Sequence, residues 1–208
     1  TNVSVLITDE INGVDSIVWS APTELDTQQY LPPYCYKIYN ESDDLLAQLP
    51  YSNFIHELDT NYSISGINTV DTNRKYKIAL FYTVSNIDNL VGYSTRASSI
   101  HLRTISNDNK IDLIWDEHVP WVNSKYFVYK SDSVDGQFYL LDTLNVKNYT
   151  DSGLVNNADY CYFVQSYGSY VDTTIVNPLV NNSQIVCAKP FDYTPPCPPT
   201  INLIGNCD

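Results

Sequence analysis

The chain has 208 residues, 43% of them apolar, enough to bury a core in one large domain or two small ones, which excludes a disordered polypeptide. Twenty-four acids against eleven bases leave a formal charge of -13, a field that repels nucleic-acid phosphates and anionic lipid and argues against both as partners. Only 17% of residues are charged, methionine is absent and tyrosine reaches 18, a balance that favours strand surfaces over helices.

The N-terminal residues Thr1-Asn2-Val3-Ser4 form neither a basic nor a hydrophobic leader, so the chain reads as a segment of a longer protein whose targeting signals lie elsewhere. No stretch nears the roughly 18 apolar residues of a spanning helix, and no membrane insertion is expected. From Ile17 onward the apolar period is two. Ile17 and Trp19 share a face, then Tyr36 and Ile38, then Tyr76, Ile78 and Leu80. The same landmarks return in the same order: Ile111, Leu113 and Trp115, then Tyr126 and Val128, then Tyr160, Tyr162 and Val164. Between them, Asn61-Tyr62-Ser63-Ile64-Ser65-Gly66-Ile67 matches Asn148-Tyr149-Thr150-Asp151-Ser152-Gly153-Leu154, with Tyr76 paired to Tyr160. Short alternating strands broken by Asn-Asp, Ser-Gly and Pro-Pro turns predict an all-β chain of two tandem antiparallel sandwiches.

Five cysteines are read by position. Cys161 and Cys187 lie in separate strand-like runs of one unit, while Cys197 and Cys207 bracket a short apolar segment, so two disulfides and an oxidising compartment are expected. The alternative is four reduced cysteines, with Cys161 and Cys187 merely filling strand positions. A zinc site is disfavoured, because no C-x-x-C exists and His56, His101 and His118 are scattered. Cys35 is expected to stay free.

A tryptophan on the second strand, Tyr-x-Val/Ile on the third, and Leu154 followed six positions later by Tyr160 resemble the fibronectin type III (immunoglobulin-like) module. The resemblance covers residues 1–97 and 98–190. It departs in the first copy, where nine positions separate Ile67 from Tyr76 and imply a turn enlarged by Asp71-Thr72-Asn73. A narrower resemblance, carried by Ala21-Pro22 through Thr27-Gln28, Pro32-Pro33-Tyr34-Cys35, the Ala97–Leu102 junction and Pro195-Pro196-Cys197-Pro198, is to module arrays of gliding-motility-associated surface proteins exported by bacterial type IX secretion. It implies a secreted or cell-surface location and makes residues 191–208 a proline-rich linker opening a truncated third module.

In such a sandwich the loops after the second and sixth strands share one pole. The Ser20–Tyr34 loop and the Ser85–Tyr93 loop are therefore expected at the outer tip of the first copy, and His118 and Trp121 of the second copy are expected to face the first. Residues 98–102 must end one unit and begin the next, which makes the joint stiff. Five prolines from Pro190 to Pro199 favour an extended segment, so the whole reads as a rod.

No nucleophile elbow, zinc-protease, dinucleotide or phosphate-loop motif is present, so no catalytic residue and no cofactor are assigned. Asp116 and Glu117 are neighbours on a strand and point to opposite faces, as solvated acids. Asn107-Asp108-Asn109 with Asp112 suits a calcium ligand set or an ordinary hairpin turn. Tyr30 and Tyr34, or Tyr167 and Tyr170 in the second unit's late loop, offer flat contact area to a glycan or a protein. The recurring Tyr36, Tyr62, Tyr76, Tyr126, Tyr149 and Tyr160 read as core or corner residues, and Trp121 as junction packing. Asp132-Ser133-Val134 and Asp142-Thr143-Leu144 resemble an O-glycosylation signal of bacterial surface proteins. The expected role is a non-catalytic spacer for adhesion or motility whose partners are neighbouring modules. The alternatives are a tip-loop binder of surface glycan or protein, or an accessory domain of a secreted glycan-degrading enzyme.

Overall fold

A computed structural model describes residues 3–9, 14–66, 74–170, 178–193 and 197. Sixteen strands and one 3-10 turn, Ile55–Glu57, form among these residues. The first unit holds β1 (Val3–Asp9), β2 (Val14–Trp19), β3 (Tyr34–Tyr39), β4 (Leu45–Gln48), β5 (Asn61–Ile64), β6 (Lys75–Val84), β7 (Ile87–Tyr93) and β8 (Ala97–Ser98). The second holds β9 (His101–Asn107), β10 (Lys110–Asp116), β11 (Val122–Ser131), β12 (Tyr139–Leu144), β13 (Asn148–Ser152), β14 (Tyr160–Ser169), β15 (Leu179–Asn182) and β16 (Val186–Ala188).

Each unit is a pair of antiparallel sheets. In the first, β1-β2-β5 faces β4-β3-β6-β7, with β8 continuing along β6; in the second, β13-β10-β9 faces β12-β11-β14-β15, with β16 continuing along β14. The chain is thus two tandem fibronectin type III-like sandwiches. Period-two burial sends Ile17 and Trp19 inward from β2, and Ile111, Leu113 and Trp115 inward from β10. Trp19 meets Tyr36 edge-on with ring centroids 5.3 Å apart, and Trp115 meets Tyr126 in the same way at 5.5 Å. The two tryptophans therefore occupy equivalent surroundings.

The ladders correct one correspondence. Ile38 lies opposite Ile78 on β6, and Val128 opposite Val164 on β14. The Ile78 N–H donates to Ser94 Oγ at 2.9 Å, and the Val164 N–H donates to Ser183 Oγ at 2.8 Å, which fixes the same equivalence independently. Tyr76 therefore matches Tyr162, and the place of Tyr160 is taken in the first unit by Arg74. Tyr160 is the corner residue: its hydroxyl accepts the Val155 N–H at 3.0 Å. Ile67 stands seven positions before Arg74, against six from Leu154 to Tyr160, so the enlargement is smaller than the Tyr76 alignment implies. The turn itself, Asp71-Thr72-Asn73 included, lies outside the described residues.

A second correction concerns the Ser85–Tyr93 segment. Only Ser85 and Asn86 form a turn, both with positive φ (53° and 65°), and Ile87–Tyr93 is strand β7. Two consecutive left-handed residues close a hairpin without splaying its strands. Likewise Tyr167 lies within β14 rather than in a loop, and Tyr170 follows directly after it.

Only Ser99 and Ile100 separate β8 from β9. The Ser98 N–H donates to the His118 carbonyl at 2.8 Å, and the His118 N–H returns a bond to Ser98 Oγ at 2.8 Å. Asn181 Nδ2 donates to the Ser98 carbonyl at 3.0 Å. Gln184 clamps β9 with both ends of its amide, accepting the Leu102 N–H at 3.1 Å and donating to the Leu102 carbonyl at 2.9 Å. Trp121, 5% exposed, and Leu179 belong to the same buried cluster as Ile17, Trp19, Tyr36 and Ile78, with Val119 and Tyr170 packed at its margin. The first unit's core therefore continues into side chains of the second, and the expected junction role of Trp121 and His118 is seen directly.

Candidate functional site

The outer pole of the first unit is built by two segments that flank the start of β3. Residues 20–33 connect β2 to β3, and residues 49–60 connect β4 to β5. Tyr34 and Ser52 exchange backbone hydrogen bonds of 2.8 and 3.0 Å, which ties the second segment to the first strand residue. Asp26 Oδ1 accepts the N–H groups of Gln28 and Gln29 at 2.9 and 3.2 Å, a local turn that satisfies donors no strand reaches. The Ser52 hydroxyl donates to Glu57 at 2.9 Å and its oxygen accepts the Phe54 N–H at 3.0 Å.

The two tyrosines expected at this tip part company. Tyr34 is 2% exposed, because it lies two residues before Tyr36 on the inward face of β3 and so belongs to the core. Its hydroxyl donates to the Tyr30 carbonyl at 2.6 Å, and burial pushes its pKa up. Tyr30 is half-buried, its ring 5.5 Å from that of Tyr82. On one side of the loop, Tyr30 lines a 220 Å³ pocket with Leu25, Val91 and Tyr93. On the other side lies a 290 Å³ groove lined by Thr27, Pro32, Tyr34, Asn53, Phe54, Ile55 and His56. Tyr34 therefore meets this groove only as its floor. Phe54, 56% exposed, stands at the rim with its ring 5.7 Å from that of His56. Phe54 and Ile55 sit in a stretch with no periodicity and carry no signal in the sequence, whereas the even spacing of Tyr34 with Tyr36 and Ile38 marks it as inward-facing.

On the outer face of the same sheet, Asp88 gathers Lys37 Nζ at 2.8 Å, Thr83 Oγ1 at 2.7 Å and the Tyr51 hydroxyl at 3.0 Å. The Lys37 bond is the chief reason its carboxyl stays below the usual range. Cys35 lies fully buried with its thiol free, as expected, and burial followed by the Asp88 charge raises its pKa, which leaves the thiolate scarce.

In the second unit Cys161 and Cys187 face each other across β14 and β16 and form a disulfide. Cys197 stands free and exposed, and Cys207, its expected partner, lies outside the described residues. Asp116 is exposed and pairs with Arg103 at 2.8 Å. Glu117 is not the solvated acid expected: its side chain is 3% exposed and held by Lys147 at 2.8 Å and the Tyr126 hydroxyl at 2.7 Å. Burial, then the Glu117 hydrogen bond, raises the Tyr126 pKa. The Asn107–Asp112 hairpin spends its polar groups internally, with Asn107 Nδ2 on Asp112 at 2.7 Å and Asn156 Nδ2 on Asp108 at 2.8 Å. The Asp132-Ser133-Val134 triplet is exposed, Asp132 accepting from Tyr139 at 3.2 Å, whereas in the Asp142 triplet only Thr143 is exposed and Asp142 and Leu144 are partly buried.

The inner carboxylates of the two units are exchanged. Asp15 lies opposite Ile64 across β2 and β5, whereas in the second unit Ile111 lies opposite Asp151 across β10 and β13. Tyr76 donates to Asp15 and Tyr162 donates to Asp151, so one tyrosine position serves a carboxylate from either strand. Lys130 completes only the second site, 2.8 Å from Asp151 and 4.6 Å over the Tyr160 ring. Its counterpart Asn40 instead closes the β3–β4 turn, accepting the N–H groups of Ser42 and Asp44 at 2.9 and 2.8 Å.

Among the described residues no group of three or more His, Cys, Asp or Glu side chains is placed to hold a metal, and no helix is long and apolar enough to cross a membrane. Neither a family model nor a curated protein sequence matches the chain. Among solved structures, the chain is similar to the central fibronectin-III array of RIM-binding protein, at 14% identity over 96% of this chain and 72% of that one, with a TM-score of 0.33. It is also similar to a cytokine receptor complex, at 10% identity over 90% of this chain and 96% of the other, with a TM-score of 0.38. At these scores the likeness adds nothing to what the sheet topology establishes.

Proposed function

We propose that the chain is a non-catalytic pair of structural modules, 1–97 and 98–190 with Ser98 still paired to the first module's β6, that holds a fixed spacing within a larger extracellular protein. The observation that carries this reading is the joint: Trp121 and Leu179 packed with the first unit's core, and no free linker beyond Ser99 and Ile100. A flexible pair would expose such side chains and leave a polar tether between units. The Cys161–Cys187 bridge supports an oxidising, extracellular setting. The Pro-rich and Ala97–Leu102 segments that resemble surface-module arrays of gliding bacteria support a role in adhesion or motility after type IX export. Neighbouring modules of the same chain are its first partners.

Small-angle scattering tests the spacing role. The intact chain should scatter as one elongated body of fixed length, and Trp121→Ala with Leu179→Ala should broaden the distance distribution while each unit stays folded. A broad distribution in the unmodified chain would sink the proposal.

A further inference from the structure

We infer that the groove between the β2–β3 and β4–β5 segments of the first unit docks a segment of a partner protein, one bulky apolar side chain flanked by lysine or arginine. The groove is lined by Pro32, Tyr34, Phe54 and Ile55 together with Thr27, Asn53 and His56, and the Tyr34 hydroxyl is already spent on the Tyr30 carbonyl. A glycan would need several convergent hydrogen-bonding groups that this lining lacks, whereas an aliphatic or aromatic side chain needs none. Leu31 and Phe54, 55% and 56% exposed, extend the apolar surface to the rim. The formal charge on the two segments that bound it has one sign. Residues 20–34 and 51–60 contain Glu24, Asp26, Glu57 and Asp59 and neither lysine nor arginine. None of the four carboxylates belongs to an ion pair among the described residues. An apolar slot whose two bounding segments carry four carboxylates and no lysine or arginine favours its complement: the apolar anchor supplies affinity, and flanking cations supply encounter rate and orientation. The site goes beyond the spacing role, since it lies at the pole away from the joint.

The test uses the whole chain and a fluorescein-labelled synthetic peptide with one tryptophan flanked on each side by three lysines, followed by fluorescence anisotropy. Saturable binding is expected, weakened about tenfold by Phe54→Ser or Leu31→Ser, both exposed positions that do not hold the core. Glu24→Gln with Asp59→Asn should weaken binding at low salt and make little difference at high salt. Ile105→Ser and Val155→Ser, exposed apolar changes on the second unit, should leave affinity unaltered. Four outcomes would overturn the proposal: no saturable binding, equal binding by a peptide with serine for tryptophan, equal loss from the second-unit variants, or spermine displacing the peptide equally well from the Phe54→Ser protein. The last two would reassign the effect to diffuse charge or to a small polycation.

Discussion

Lys130 and Asp151 meet at 2.8 Å with both side chains about nine-tenths withdrawn from solvent. Two charges removed from water are stable there only as a set with the Tyr162 hydroxyl, which donates to the same carboxylate at 2.8 Å. Lys130→Ala should therefore cost the second unit about 3 kcal/mol or more, because it strands a buried anion. Lys130→Met with Asp151→Leu and Tyr162→Phe should recover most of that loss, since an apolar replacement leaves no group unpaired. Denaturant midpoints of the two variants check this; equal losses would show that packing, not the stranded charge, sets the cost.

Asp15 has the same tyrosine donor but no lysine, and one of its carboxylate oxygens, Oδ1, is buried without a partner. Burial is the largest effect on its pKa and raises it, opposed by the Tyr76 hydrogen bond and the Arg74 charge. A carboxyl whose folded pKa is raised stabilises the folded state in acid. That stability is lost as pH climbs from the unfolded value, near 4, through the folded one. Thermal midpoints of the first unit should fall across this window, and Asp15→Asn should flatten the fall. An unchanged slope in the variant would assign the effect to the many surface acids.

Tyr160→Phe removes the hydroxyl that accepts the Val155 N–H and should cost the second unit on the order of 1 kcal/mol. The effect should appear as an earlier unfolding transition with no change in the first unit, read from hydrogen exchange at residues of β10 and β11.

The Cys161–Cys187 bridge closes a separation of 26 residues, for which chain-entropy reasoning gives about 3.5 kcal/mol. Reduction should add two hydrogens to the intact mass and lower the second unit's midpoint by an amount of that order. Four added hydrogens would mean that Cys197 and Cys207 are also bridged.

How far the sequence revealed these features follows from the physics of each. Trp19, Trp115, Tyr36 and Tyr126 were legible because strand period two and a repeated order leave one solution. Tyr160 and Tyr162 were not separable, since residues two apart on a strand share a face and either fits the repeat; the ladder with β11 decides it. Glu117 looks like its neighbour Asp116 in sequence because its partners, Tyr126 on β11 and Lys147 in the turn before β13, come from elsewhere in the chain. The groove escaped notice for the same reason, assembled as it is from two connecting segments that lack any period of their own.

The bridge between β14 and β16 also governs what happens under load. If the rod is pulled from its ends, the 26-residue separation it spans is fenced off from extension, so the second unit gives up roughly 90 Å less contour than its length implies. Tension would then unravel the unbridged first unit through its full length, while its neighbour keeps a short, covalently closed remnant.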